Sequence, residues 1–250
     1  MINAARQEPG QTVLVFDAGD SLLGQPVALQ SEGAAIVEVM NAMGYDAMAV
    51  GRLDLSKGVG TVMQRAQEAQ FAILSCNLVL KGTRDPILPA FTVLERDGLR
   101  FGILGVTEPE ALQSPGVADV AEVLDPVEAV REALPDLQAR ADVVIVLSHL
   151  GLDIDRSLAA AVPGIDIIIG GRTRELLKKP EMVGDTIITQ MGYDGEFVGR
   201  LDVTVTPAGR LDDPRVTLIT LTPDVADDPA LTSLVWRLKS AYGAPTPATS

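Results

Sequence analysis

The chain has 250 residues, 20 Lys plus Arg against 34 Asp plus Glu for a formal net charge of −14, and 47% hydrophobic residues. That composition excludes disorder over most of its length, and without a basic block it excludes nucleic-acid binding through the phosphate backbone. One cysteine and one histidine, Cys76 and His149, exclude an internal disulfide, a zinc finger and a CxxC redox pair; no apolar run approaches the roughly 20 residues of a membrane span.

In chain order, Thr12–Phe16 (TVLVF) reads as a strand covered on both faces. Ala34–Met43 has helical spacing and stops at Gly44. Ala47–Val50 is a short strand, Thr61–Ala69 a helix and Ala72–Cys76 a further strand. Phe91–Leu94 and Leu99–Leu104 flank Asp97-Gly98 as a hairpin. A helix begins at Pro126 and runs to about Arg140, with a kink expected at Pro135. Asp142–Leu147 and Ile165–Ile169 are buried strands with a helix near Ile154–Ala161 between them. The texture then changes to consecutive strands, Thr186–Gln190, Val198–Thr206 and Val216–Leu221. Pro229–Ala241 is a final helix, and Gly243–Ser250 reads as a flexible tail or linker. Alternation followed by consecutive strands implies a mixed α/β fold, with one domain over 1–222 and a C-terminal helix and tail over 223–250.

Four polar clusters sit just past strand ends, where open α/β sheets gather ligands. They are Asp17-Ala18-Gly19-Asp20, Gly51-Arg52-Leu53-Asp54, Ser148-His149-Leu150-Gly151 and Gly170-Gly171-Arg172-Thr173-Arg174. Four in register imply a shared cleft. Cys76 reads as a small core thiol, and Ser148-His149 lacks the GxSxG elbow of a hydrolase.

The stretches VLVFDAGDSLLGQ, VMNAMGYDAMAVGRLDLSKG, FAILSCNLV, GILGVT, ADVVIVLSHLGLDID, VPGIDIIIGGRTR and TIITQMGYDGEFVGRLDVTV follow one another over about positions 10 to 206. In that order they resemble the catalytic domain of the 5′-nucleotidase branch of calcineurin-like metallophosphatases. The resemblance implies a four-layer α/β/β/α sandwich of two mixed sheets and hydrolysis of phosphate esters by two divalent metals. It puts Asp20 at the family's bridging aspartate and His149 at an imidazole ligand. It implies a periplasmic or extracellular location if a leader has been removed, and a cytoplasmic one otherwise.

The family motif GNHEFD reads GRLDLS here. Arg52 stands for the metal-binding asparagine, Leu53 for the histidine that assists the leaving group, and Ser56 for that histidine's aspartate partner. The GHTH-like motif reads Gly171-Arg172-Thr173-Arg174, and the Asp-x-His pair of the family's first strand has no counterpart. Guanidinium offers donors only and no lone pair to a metal. A catalytically degenerate domain with a binding or structural role is therefore expected, with no catalytic residues and no metal cofactor; if any metal binds, Asp20 and His149 are its ligands. The alternatives are a residual phosphoesterase and an anion- or phosphate-binding module. Arg52, Arg172 and Arg174 are expected to close a salt-bridge network with Asp17, Asp20 and Asp54, or else to bind a small anion. With the first strand of the fold expected to be missing, another protein segment or subunit is expected to cover the exposed sheet edge.

Overall fold

A computed structural model describes residues 1–206 and 209–243. Its strands are β1 (Phe16–Asp17), β2 (Ala47–Ala49), β3 (Ala72–Leu74), β4 (Leu78–Leu80), β5 (Phe91–Arg96), β6 (Leu99–Val106), β7 (Ala121–Val123), β8 (Val143–Ser148), β9 (Ile167–Gly170), β10 (Glu181–Val183), β11 (Thr186–Gln190), β12 (Phe197–Val205) and β13 (Leu211–Thr220). The helices are α1 (Ile2–Arg6), α2 (Pro26–Gln30), α3 (Ala34–Met43), α4 (Val59–Glu68), α5 (Val117–Val120), α6 (Pro126–Gln138), α7 (Leu152–Ala161) and α8 (Pro229–Tyr242).

The fold is mixed α/β. Its largest sheet runs β10-β11-β9-β8-β6-β5, with the middle four strands parallel and an antiparallel strand at each edge. A second sheet, β1-β2-β3, is wholly parallel, and β12–β13 and β4–β7 are separate antiparallel ribbons. Among the described residues the β12–β13 ribbon forms no ladder with β1.

Alternation along the strands sorts the apolar side chains into three clusters. Met48 and Ile73 pack with Val37 and Met40 of α3 and Val62 of α4. Ala47, Ala49 and Leu74 turn the other way, onto Phe101, Ile103, Ile145 and Leu147 of the large sheet. On the far face of that sheet, Leu104, Val144 and Val146 meet Val130, Leu134 and Leu137 of α6 and Leu158 of α7. This is period-two patterning with both faces buried, the reason these strands read as unbroken apolar runs.

Local chemistry sets the ends of the elements. Gly44 closes α3 in the left-handed region, and Asp97 and Gly98 turn the β5–β6 hairpin with φ of 52° and 80°. The Asp125 side chain caps α6 by accepting from the Glu128 N–H at 3.0 Å. α6 runs through Pro135 to Gln138, and the carbonyl of Pro135 accepts from the Ala139 N–H. At the C-terminal end Leu238 of α8 is buried and Arg237 pairs with Glu38 of α3. Of the expected tail only Gly243 is described; 244–250 lie outside the described residues.

The strand expected over Thr12–Phe16 differs most. Only Phe16–Asp17 joins a ladder, and Val13–Phe16 are half-buried rather than enclosed. The physical reason is position. β1 lies at the edge of its sheet, and Thr12, Val13 and Leu14 make no backbone hydrogen bonds among the described residues.

The carboxyl end of β8 is tied to α7 by the Ser148 hydroxyl, which donates to Asp155. The Asp155 side chain is fully buried, its second oxygen has no partner, and burial pushes its carboxyl up to about 7. A carboxyl with a raised folded-state pKa makes its full contribution below the unfolded value near 4, and that contribution is lost as pH rises through 7. Chemical denaturation between pH 4 and 7 is therefore predicted to show a shallower fall of stability in Asp155→Asn than in the parent, by up to about 1.4 kcal/mol per pH unit. Equal slopes would contradict the assignment.

Candidate functional site

Three loops leave neighbouring strands at their carboxyl ends and meet over one point. The loop after β1 carries Asp17 and Asp20, the loop after β2 carries Arg52 and Asp54, and the loop after β8 carries His149. A fourth, after β6, brings in Glu108.

Asp54 organises two of these loops. Its carboxylate is fully buried and accepts from the N–H groups of Asp20 (2.8 Å), Leu22 (2.8 Å) and Gly51 (2.9 Å). Burial still pushes it up to about 7 against those three donors. In return, the Asp20 carboxylate accepts from the Leu53 N–H at 2.7 Å. Asp17 faces inward to its own loop, accepting from the Gly19 N–H at 2.8 Å and the Ser21 hydroxyl at 2.7 Å, and burial raises its carboxyl.

His149 is buried to 2% exposure. Its Nδ1 lies 2.6 Å from the carbonyl of Ala18, which can only accept, so Nδ1 is the protonated nitrogen and Nε2 points into the site. There Nε2 is 3.2 Å from Asp20 Oδ2 and 3.9 Å from Glu108 Oε1, with no hydrogen bond in acceptable geometry to either. Close approach is possible because the neighbours lack side chains. A Cβ on Gly51 would lie 2.3 Å from Asp20 Oδ1 and 2.7 Å from the imidazole, and one on Gly171 would lie 2.9 Å from Nδ1.

Burial opposes charge on the imidazole, yet Asp20 and Glu108 outweigh it and raise His149 to about 9. Burial likewise works against the Asp20 carboxylate, but His149 and the Leu53 N–H hold it below its ordinary range. Glu108, at 2% exposure, is pushed up to about 6 by burial. One of its oxygens accepts from the Arg52 N–H at 2.9 Å, and the other has no partner.

Glu108 is the residue that sequence reasoning missed. The available signal was its position two residues past the strand Leu99–Val106, the same rule that singled out the other four clusters. Asp20, Glu108 and His149 each offer one ligand atom, and the three atoms lie within 4.8 Å of one another.

The closed network of arginines and aspartates is not formed. Arg172 donates to the carbonyl of Leu150 at 3.0 Å and pairs with Glu110 at 2.9 Å. Arg174 lies over the Tyr193 ring, 5.1 Å from its centroid. The side chain of Arg52 is exposed and makes no ion pair among the described residues. The expected partners are already engaged: Asp54 by backbone N–H groups, Asp17 by the Gly19 N–H and the Ser21 hydroxyl, and Asp20 by the Leu53 N–H. Arg172 and Arg174 both hold a positive φ, 67° and 60°, which turns the loop after β9 outward.

No family model matches the chain. It is 30% identical to YunD, a metallophosphoesterase of Bacillus subtilis, over 207 residues that make up 80% of this chain and 44% of that one. It is 29% identical to the human 5′-nucleotidase over 262 residues, 94% of this chain and 45% of the relative. Among solved structures, the 5′-nucleotidase precursor of Thermus thermophilus superposes with a TM-score of 0.85 at 26% identity, covering 93% of this chain and 50% of that one. The chain carries a 5′-nucleotidase-type metallophosphoesterase domain. It spans about half the length of the curated relatives it matches, or less. Among the described residues no helix is long and apolar enough to cross a membrane.

Replacing Asp54 by Ala would strip the acceptor from three N–H groups at once. Urea melts are predicted to show Asp54→Ala destabilised by about 3 kcal/mol or more, with Asp54→Asn losing less because one acceptor oxygen remains. An Ala variant as stable as the parent would contradict the role given to Asp54.

Proposed function

We propose that this metallophosphoesterase domain binds rather than hydrolyses, having lost the two-metal chemistry of its relatives. The observation that carries the reading is the side-chain chemistry at Arg52, Arg172 and Arg174, which have no lone pair where the resemblance expects metal-ligating groups. Two divalent ions do not fit the residues present. Only three donor atoms converge, Asp54 and Asp17 are consumed by backbone and hydroxyl donors, and Arg172 is engaged by Leu150 and Glu110. Leu53 adds no proton for a departing oxygen. On this reading Asp17, Asp20, Arg52, Asp54, His149, Arg172 and Arg174 are the remains of the ancestral site. A small anion or phosphate held by the exposed Arg52 is the rival reading. By likeness to 5′-nucleotidases, the proposed location is the periplasm or the outside of the cell if a leader has been removed, and the cytoplasm otherwise.

With Mn²⁺, Mg²⁺ or Zn²⁺ supplied, the purified chain is predicted to release no phosphate from AMP or p-nitrophenyl phosphate above the buffer control. Turnover that Asp20→Ala or His149→Ala abolishes would establish the residual phosphoesterase instead.

The partner in this proposal is an extended segment or second subunit adding a strand to β1. What supports it is the unpaired outer edge of that strand, apolar at Leu14 and Phe16, which share a cluster with Leu201, Val203 and Val205 of β12. A groove of about 330 Å³ is lined by Gln11 and by Arg200, Asp202, Val203 and Thr204. Sedimentation and hydrogen exchange are predicted to show self-association that slows exchange at Thr12–Phe16. A monomer at every concentration, with those amides exchanging freely, would overturn it.

A further inference from the structure

We infer that the cleft between β10 and β13 binds an amphipathic anion, a carboxylate or phosphorus oxyanion head on a short apolar body. None of the residues that line it belongs to the loops after β1, β2, β6 or β8. The inference therefore goes beyond the proposed function and does not depend on it.

Alternation along the strands builds the floor. The cleft holds about 510 Å³, the size of a small-molecule site. Met182 of β10 stands opposite Ile187, whose side chain joins the cluster beneath the β12–β13 ribbon, so Met182 is turned to that face and Glu181 to the other. Val216 of β13 stands opposite Leu201 of the same cluster. Met182 is 52% exposed, an open apolar side chain at the edge of the six-stranded sheet. Pro180 precedes β10, and Pro214 sits at the register shift of the β12–β13 ladder. Neither has an N–H to donate, so this rim suits a small molecule and not an added strand.

Charge selects the ligand. Lys178, Lys179 and Arg215 line the cleft and no acid does, in a chain whose net charge is −14. The neighbouring acid, Glu181, is taken on the opposite face by Arg156 in two bonds of 2.8 Å. Arg215 has only Asp213, at 3.4 Å with both side chains mostly exposed, a weak pair. Lys178 and Lys179 are exposed and make no ion pair among the described residues. Cations above an apolar floor match a ligand with the same two parts, its head on the ammonium groups and its body on Met182 and Val216. An anionic membrane offers similar chemistry, but the strongly negative chain is repelled from such a surface.

The test is a titration of the purified chain, labelled with ¹³C-methyl methionine, with octanoate and with octylphosphonate, each below its micelle concentration. The Met182 methyl signal, assigned through Met182→Leu, is expected to shift saturably with one ligand per chain, and the melting temperature to rise. The double variant Lys178→Gln/Lys179→Gln is expected to weaken binding at least about tenfold, and Lys239→Gln on α8 to leave it within about twofold. Octanol and inorganic phosphate, each lacking one half of the ligand, are expected to bind at least about tenfold more weakly. Saturable binding of either probe at Met182 that the lysine pair controls supports the inference. No shift at Met182, unchanged affinity in the double variant, or octanol or inorganic phosphate binding as well as the probes would each overturn it. So would binding to phosphatidylglycerol vesicles without binding of either probe. The turnover assay judges the proposed function separately, because neither probe carries an ester bond to hydrolyse.

Discussion

Three backbone N–H groups converging on the carboxylate of Asp54 hold the functional end of this molecule in shape. The loop after β1 and the loop after β2 have no sheet hydrogen bonds of their own at that point. Asp54 supplies the shared acceptor, and Asp20 answers with the Leu53 N–H. Because the two carboxylates interlock, Asp20 is fixed opposite His149, and Gly51 must lack a side chain for the two to fit. The scaffold therefore fixes Asp20 and His149 against one another beside Arg52 and Leu53.

The electrostatic effect of an arginine beside the cluster depends on where its side chain goes. Arg172 and Arg174 leave the site, one to Glu110 and the Leu150 carbonyl, the other to the face of Tyr193. The centre thus keeps an acid–imidazole–acid cluster rather than a neutralised knot of opposite charges. The imidazole keeps its proton well above its ordinary range, because Asp20 and Glu108 outweigh the burial that works against it. A proton and a divalent ion are alternative occupants of the same electron pair.

Much of the fold was legible because it rests on local rules. Ala34–Met43 with its glycine stop and the Asp97-Gly98 hairpin emerge as read, and Thr186–Gln190 matches its strand residue for residue. Two short pieces, β4 and β7, were not legible. β4 and β7 have three residues each and owe their existence to pairing across forty positions, which no local pattern encodes. Thr12–Phe16 illustrates the opposite error. Its apolar run implies enclosure on both faces, yet enclosure depends on a neighbouring strand, and among the described residues β1 has none on its outer side. In the site, Asp20 and His149 were found through motif and position, whereas the arginine–aspartate network failed because backbone N–H groups had already claimed the aspartates. Glu108 escaped notice since it belongs to no matched motif and its importance appears only when β6 and β8 lie side by side.

The most direct test is diffraction from crystals grown with MnCl₂, with data collected near the manganese absorption edge. No pair of neighbouring anomalous peaks at Asp20 and His149, with Arg172 still paired to Glu110, is the predicted result. Two neighbouring peaks bridged by Asp20, with the arginines displaced to admit them, would contradict the account.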